Sequence, residues 1–148
     1  MELPGDPSSK GRPRGGRGHH YTPASTRAAE NVLRAQVLAR SPREPYLGPV
    51  ALELVLLMET PKGGGKDGDN LAKLVADCLQ RPIDPKTKRR LTYGGIILND
   101  AQIKIWDIRV VCGVGRGNGR TLIGVRTLAP GELAREDVVL AWRLKYKP

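Results

Sequence analysis

Two carboxylates and an ammonium group stand close together in the middle of the chain. Asp67, Asp69 and Lys73 begin a segment whose apolar residues recur at the spacing of a helix with one buried face. These apolar residues are Leu71, Leu74, Val75, Cys78 and Leu79. Mg²⁺ and Mn²⁺ prefer oxygen ligands, and one or two carboxylates commonly hold them together with a substrate phosphate. The segment can therefore be interpreted as a metal-binding helix start, with a lysine that could stabilise charge on phosphorus or protonate a leaving oxygen.

A structural interpretation explains the same residues without any chemistry. Asp and Asn are preferred helix caps, and Asp69 with Lys73 has the i, i+4 spacing of an ordinary ion pair. For a metal site, the segment lacks a third carboxylate, which would have to come from elsewhere in the chain. Asp100 is the candidate, because it precedes a strand-like run from which a side chain can point at a neighbouring helix start. A calcium EF-hand loop is excluded, since Leu71 occupies a ligand position of that loop and no glycine follows it.

The composition favours an anionic partner. The 148 residues carry a formal charge of +10, which indicates nucleic acid as the first candidate without distinguishing DNA from RNA. The length suits one domain, and with 18 glycines and no phenylalanine its core is thin, so association of subunits would bury useful additional surface. Two cysteines, Cys78 and Cys112, make neither a disulfide framework nor a metal site. Because we find no signal-type or membrane-spanning apolar run, we expect a cytoplasmic protein with no membrane partner.

Four separated motifs resemble the RusA family of Holliday junction resolvases. They are Lys10-Gly11-Arg12-Pro13-Arg14, Tyr21-Thr22-Pro23, the segment from Asp67 to Lys73, and Asp100-Ala101-Gln102-Ile103. The resemblance runs from about Gly5 to Thr127. It implies a homodimeric, Mg²⁺-dependent endonuclease, with Mn²⁺ as a possible substitute and no small-molecule cofactor, that nicks four-way DNA junctions symmetrically in recombination and repair. It also implies that Asp67, Asp69 and Asp100 bind the metal and that Lys73 is essential for catalysis.

The sequence departs from the family pattern near Asp100. Family members commonly have an acidic pair at this point, whereas Asn99 replaces the first acid here. The spacer between the helix and Asp100 is also enlarged, by the residues from Arg81 to Arg90. These departures concern the geometry around the site more than its chemistry.

We expect an α/β fold of the α+β type, in which a small mixed sheet packs against two main helices. One helix is predicted over Pro23–Arg40, with Ala28, Val32, Ala35, Gln36 and Ala39 along one stripe, and the other over Asn70–Gln80. Strands are predicted over Val50–Glu59 in the sheet interior, Ile96–Leu98, Gln102–Val111 and Thr121–Thr127. The glycine-rich run Gly113–Gly119 is predicted to be a hairpin connection, and Leu133–Tyr146 could be a helix or an added strand.

Basic residues flank the predicted site within this single domain, residues 1–148. A basic arm, residues 1–20, contains Lys10, Arg12, Arg14 and Arg17, and the glycine-rich connection before the acids contains Lys62 and Lys66. A basic spacer, residues 81–95, contains Arg89 and Arg90 along with Lys86 and Lys88, and residues 130–148 form a C-terminal extension. Each of these cations could neutralise DNA backbone charge, although charge runs are often only solvated surfaces.

The sequence therefore predicts a structure-selective endodeoxyribonuclease that resolves four-way junctions by paired, metal-dependent nicking of opposed strands. Two alternatives stay open. The protein could be a non-catalytic DNA- or RNA-binding protein whose acids only cap a helix, or a nuclease of looser branched-DNA specificity. Divalent-metal dependence and the choice among branched and linear substrates distinguish the three.

Overall fold

A mixed sheet of five strands forms the centre of the protein. The computed structural model describes residues 1–8, 14–16, 19–21, 24–42, 44–61, 67–84, 86–91, 94–133 and 143–144. The strands lie in the order β1, β6, β4, β5, β7. Their bounds are β1 Glu2–Pro4, β4 Val50–Met58, β5 Ile103–Cys112, β6 Arg120–Thr127 and β7 Arg143–Leu144. A separate antiparallel pair consists of β2 Arg14–Gly16 and β3 His19–Tyr21.

Strand β4 occupies the interior of the sheet, as its apolar sequence predicts. It pairs in parallel with β5 on one side and antiparallel with β6 on the other. Alternate residues of β4 face the helices and are almost fully buried, namely Leu52, Leu54, Leu56 and Met58. The opposite face is more exposed and includes Glu53. The apolar run of β4 is nearly continuous because its second face is also partly covered, at Ala51, Val55 and Leu57.

Two long helices pack against the sheet and against each other. They are α1 Ala24–Leu38 and α2 Gly68–Leu79, and a four-residue helix, α3 Pro130–Leu133, follows β6. Both predicted helices and the mixed sheet are thus confirmed. The predicted apolar face of α1 is wrong, because Val32 is 60% exposed whereas Val37 is fully buried and Leu33 packs against the core. The larger branched side chains bury more apolar area than the alanines of the predicted stripe, and they determine which side of α1 faces inward.

The crossover between β4 and β5 positions the two ends of α2. Because the strands are parallel, the chain must return to the starting end of the sheet, and α2 forms part of that return. At the carboxyl end of α2, the amides of Ile96 and Ile97 donate to Leu79 O at 2.7 and 3.2 Å. The predicted strand over residues 96–98 is not a regular strand, since Ile97 makes only isolated bridges to Tyr46 and Gln80.

The glycine-rich run after β5 is not the predicted hairpin connection. It joins β5 to β6, and these strands lie on either side of β4, so the run passes across the end of β4. The amide of Gly113 donates to Met58 O at 2.9 Å, and the amide of Gly117 donates to Glu59 Oε1 at 3.0 Å. A Cβ added to Gly119 would lie 2.5 Å from the Cα of Asp6. The backbone of Asp6 therefore passes too close to residue 119 for any side chain, which explains the glycine at this position.

The predicted C-terminal extension begins as a helix and contains a strand. Its described parts are α3 and the edge strand β7, which pairs in parallel with β5. No helix among the described residues is both long enough and apolar enough to cross a membrane. Cys78 is buried under α1, and Cys112 is partly buried at the end of β5.

Candidate active site

The start of α2 places two acids and a lysine close together on the protein surface. Asp67 is the N-cap, with extended backbone angles of φ −80° and ψ 126°, and its Oδ1 accepts a hydrogen bond from the amide of Asp69 at 3.1 Å. Its Oδ2 accepts from the side-chain amide of Asn70 at 3.3 Å. The cap holds the Asp67 carboxylate beside the helix start, where the exposed amide groups favour negative charge.

Asp69 and Lys73 form an ion pair one turn apart. The distance from Lys73 Nζ to Asp69 Oδ2 is 2.6 Å, and the two side chains are 60% and 49% exposed, respectively. Such a pair contributes little to stability, on the order of 0.3–0.5 kcal/mol. The helix cap and the ion pair of the structural interpretation are thus both formed. Both carboxylates nevertheless remain accessible from solvent, with lone pairs that the cap bonds do not use.

The donor chemistry of this turn fits Mg²⁺. The ion takes oxygen ligands, keeps several waters, and needs only one or two carboxylates when a substrate phosphate supplies further oxygens. Asp67 and Asp69 provide two carboxylates on one exposed turn, and Lys73 provides a cation beside them. The turn can therefore hold a hard divalent ion and a phosphate side by side.

Asp100 lies far from this turn within one chain. It opens a short 3-10 helix, Asp100–Gln102, at the amino end of β5 and is exposed. The residues just before it, Ile96 and Ile97, contact the carboxyl end of α2 at Leu79, about 15 Å along the helix from Asp69. Among the described residues, no group of three His, Cys, Asp or Glu side chains is placed to hold a metal ion. The structure thus brings Asp67, Asp69 and Lys73 together and leaves Asp100 at the other end of α2.

Gln102 fixes the backbone around Asp100, a role that the sequence patterns did not reveal. Its Oε1 accepts from the amides of Leu98 and Asn99 at 2.6 and 3.3 Å. Its Nε2 donates to Tyr46 O at 2.9 Å and to Gly48 O at 2.8 Å. One side chain therefore joins the turn that carries Asp100 to the segment before β4. The only sequence signal was the place of Gln102 in the motif that begins at Asp100.

Only part of the predicted DNA-binding set lies in the described structure. Lys10, Arg12, Arg17, Lys62 and Lys66 lie outside the described residues, and Arg14 is described only as part of the backbone of β2. Arg89 is exposed in the basic spacer. Arg90 is also exposed, but its guanidinium donates to Arg81 O at 3.1 Å and to Gln80 Oε1 at 2.8 Å. Arg90 therefore has a structural role whether or not it binds DNA.

A second group of charges on the open face of the sheet is internally neutralised. Arg109 Nη2 lies 2.9 Å from Asp107 Oδ2, and this hydrogen bond raises the pKa of Arg109 above its ordinary value. Arg126 pairs with Glu132 at 2.9 Å and lies 3.9 Å from Glu53. Each acid in this cluster faces an arginine, and we assign no metal site to it.

Comparison with protein families identifies one match over most of the chain. A family model described as Endodeoxyribonuclease RusA matches residues 4–125. The matched region contains the start of α2, the basic spacer and the Asp100 turn. A comparison with curated proteins gave no match.

Proposed function

Because the chain belongs to the RusA family of endodeoxyribonucleases, we propose that it resolves four-way DNA junctions by metal-dependent nicking of opposed strands. The observation that carries the proposal is the exposed turn of α2, where Asp67 and Asp69 stand beside Lys73. Family membership supports a branched-DNA substrate, and the formal charge of +10 suits a polyanion. Recombination and repair are the processes in which such an activity would be used.

Each residue of the turn has a proposed part in strand cleavage. Asp67, oriented by its cap bonds, and Asp69 would hold Mg²⁺, with Mn²⁺ as a possible substitute. When bound, the ion supplies positive charge against the scissile phosphate and a more acidic water for attack. Lys73 would leave its ion pair with Asp69 and stabilise the negative charge that develops on the phosphate.

A dimer would explain the separation of Asp100 from the other acids. In a twofold dimer, every contact is made twice, so Asp100 of one subunit could join Asp67 and Asp69 of the other at both sites. The two sites would then face opposed strands of the junction. This arrangement predicts that Asp69→Asn and Asp100→Asn subunits, each inactive alone, regain one working site when mixed. If all three acids acted within one chain, no mixture of these two variants could cut.

The main test is nicking of a mobile four-way junction in Mg²⁺, beside a linear duplex of the same sequences. We expect symmetric cuts in the junction alone, with no cutting by Asp69→Asn and retained or tighter binding, because the change removes a ligand charge and no basic contact. Asp107→Asn is the matched control, since it removes a carboxylate from another exposed ion pair. It should cut like the unmodified protein.

The alternative functions predict different outcomes of the same assay. The cap and ion pair at the start of α2 favour a non-catalytic binding protein as the second candidate. Such a protein would bind the junction without divalent metal and would never cut it in Mg²⁺ or Mn²⁺. A looser nuclease would cut flaps or duplexes as readily as four-way junctions.

A further inference from the structure

The basic spacer contains a folded hairpin directly after α2. Ile83 and Arg90 form an antiparallel bridge, and the amide of Leu91 donates to Pro82 O at 2.8 Å. Nearer the tip, the amide of Asp84 donates to Arg89 O at 2.8 Å, and the amide of Lys88 donates to Asp84 O at 2.9 Å. We call the described residues of this element, 82–84 and 86–91, the basic hairpin. These backbone hydrogen bonds give the basic hairpin a defined conformation.

Asp84 shapes the tip of the basic hairpin. Its Oδ1 accepts from the amides of Lys86 and Thr87 at 2.7 and 3.2 Å, and these bonds lower the pKa of Asp84. The amide of Arg89 in turn donates to Thr87 Oγ1 at 3.4 Å. Lys88 has a left-handed backbone with φ 58°. Hydrogen bonds from the turn amides to the Asp84 and Thr87 side chains therefore stabilise the backbone conformation of the tip.

Three cations at the tip are available for a ligand. Lys86, Lys88 and Arg89 are exposed, and no ion pair joins any of them to a described acid. Arg90 instead anchors the hairpin through its bonds to Arg81 O and Gln80 Oε1. The hairpin thus separates an anchoring arginine at its base from three free cations at its tip.

The basic hairpin lies on the same side of α2 as the proposed active site. Asp69, Lys73 and Asp77 follow one line along the helix surface at i, i+4 and i+8. Gln80 Nε2 donates to Asp77 Oδ1 at 3.4 Å, and Arg90 donates to Gln80 Oε1, so the polar contacts continue from this line into the hairpin. The base of the hairpin is about 17 Å from Asp69 along the helix, and the tip lies up to about 13 Å beyond the base, so a tip directed away from Asp69 reaches phosphates about five to nine base pairs of duplex away.

We propose that the basic hairpin is a second DNA-binding element that binds the phosphate backbone of a duplex arm about five to nine base pairs from the cut. The proposal rests on the proposed nuclease function, since the cut defines the starting point. It adds a contact at a set distance, so the enzyme would require charged phosphates in one window of the arm. Sequence readout is not involved, because lysine and arginine tips bind phosphates without distinguishing bases.

The test couples a protein change to a DNA change. The tip variant is Lys86→Gln, Lys88→Asn and Arg89→Gln, in which Asn is chosen because it tolerates the left-handed backbone. Junctions carry uncharged methylphosphonates on both strands, either about five to nine base pairs from the cut or, as a control, about fourteen to eighteen. Junction affinity is measured by fluorescence anisotropy in the Asp69→Asn background, which binds without cutting.

We expect the protein change and the near-window change to be non-additive. In the unmodified hairpin, near methylphosphonates should weaken binding, whereas in the tip variant they should have little further effect. The tip variant loses three phosphate contacts, so the slope of log affinity against log salt should become shallower by about 2.7. Between about 50 and 200 mM salt, the affinity of the variant should therefore fall by a factor about 40-fold smaller than that of the unmodified hairpin. Far methylphosphonates should not distinguish the two proteins.

The variant Asp84→Ala distinguishes DNA binding that depends on the conformation of the hairpin tip from binding that depends only on its net charge. The change raises the net charge by one, so a non-specific electrostatic contact would bind DNA more tightly. If the tip must be shaped by Asp84, binding weakens and the coupling to the near window falls despite the added charge. Tighter binding with unchanged coupling would overturn the role of the shaped tip.

The outcomes also separate this proposal from the proposed function. Symmetric nicking together with additive effects of the tip variant and the near methylphosphonates would overturn the hairpin proposal alone. Strong coupling in a protein that never nicks would retain the hairpin as a DNA contact but remove the cut from which its distance is counted, so the proposed spacing would fall with the nuclease function.

Discussion

Replacing Gln102 with alanine should strongly destabilise the protein. The side chain makes four hydrogen bonds, at 2.6, 2.8, 2.9 and 3.3 Å, to two amides and two carbonyls of the backbone. Alanine removes all four and leaves these partly buried backbone groups to whatever water can reach them. No other described side chain connects the Asp100 turn to residues Tyr46 and Gly48 by hydrogen bonds.

The expected magnitude follows from these four bonds. A typical intramolecular hydrogen bond contributes about 1 kcal/mol, and unsatisfied buried groups cost more. We therefore expect Gln102→Ala to lower the free energy of unfolding by about 3–4 kcal/mol. For a domain of this size, such a loss lowers the melting temperature by roughly 10 °C. It is also a large fraction of the roughly 5–15 kcal/mol that stabilises a typical domain.

Urea unfolding of Gln102→Ala, with thermal melting as a second measure, tests this expectation. Lys104→Ala is the control, because it truncates an exposed side chain two residues away and should change stability by less than about 0.5 kcal/mol. Gln102→Glu retains the acceptor but replaces the Nε2 donor by a carboxylate oxygen that faces the carbonyl oxygens of Tyr46 and Gly48. Its carboxyl pKa should rise on folding, so this variant should gain stability as the pH falls. A loss below about 1 kcal/mol for Gln102→Ala would refute the reasoning.

Three further predictions concern the ends of α2 and the hairpin beyond it. Asp69→Asn should change the free energy of unfolding by less than about 0.5 kcal/mol, measured in urea, because its ion pair is exposed; a larger loss would mean that Asp69 is chiefly structural. Gly95→Ala should cost at least about 2 kcal/mol in the same assay, since φ is +81° and a Cβ would lie 2.6 Å from Arg81 N, whereas Gly48→Ala meets open space. The pKa of Asp84 is lowered in the folded protein, so its hydrogen bonds stabilise the hairpin tip at pH values above 3.8, the pKa of the unfolded chain. This stabilisation is lost as the pH falls through the lower pKa of the folded protein. The protection factors of the Lys86 and Thr87 amides, taken relative to the intrinsic exchange rate at each pH, should then fall in acid, and unchanged protection factors would contradict this.

Local patterns were sufficient to predict α2, although the helix begins at Gly68, two residues before the predicted start. The apolar residues of α2 recur at helical spacing, and every one of them is buried. Asp69 pairs with Lys73 as their i, i+4 spacing predicts, whereas the structure identifies Asp67 as the cap. These features depend on residues within one or two turns of each other, and such short-range preferences are legible without knowledge of the rest of the chain.

Long-range packing decided what the patterns could not. The buried face of α1 depends on which side chains bury most area against α2 and the sheet, so the predicted alanine stripe was the wrong choice. The run from Gly113 to Gly119 crosses the end of β4 because β5 and β6 are not neighbours, an order that no local pattern encodes. The four partners of Gln102 also lie on two separate segments.

The candidate site shows the same division. The sequence by itself identified the acids and the lysine as candidate site residues, and it identified the family to which the chain belongs. Both follow from residue types at short spacing and from the order of the motifs. Only the tertiary structure decided that α2 separates Asp100 from Asp67 and Asp69, and that the basic spacer folds into a hairpin on the same side as Lys73. The physical reason is that a parallel crossover fixes where each end of its helix lies, and that position depends on strand order rather than on the helix sequence.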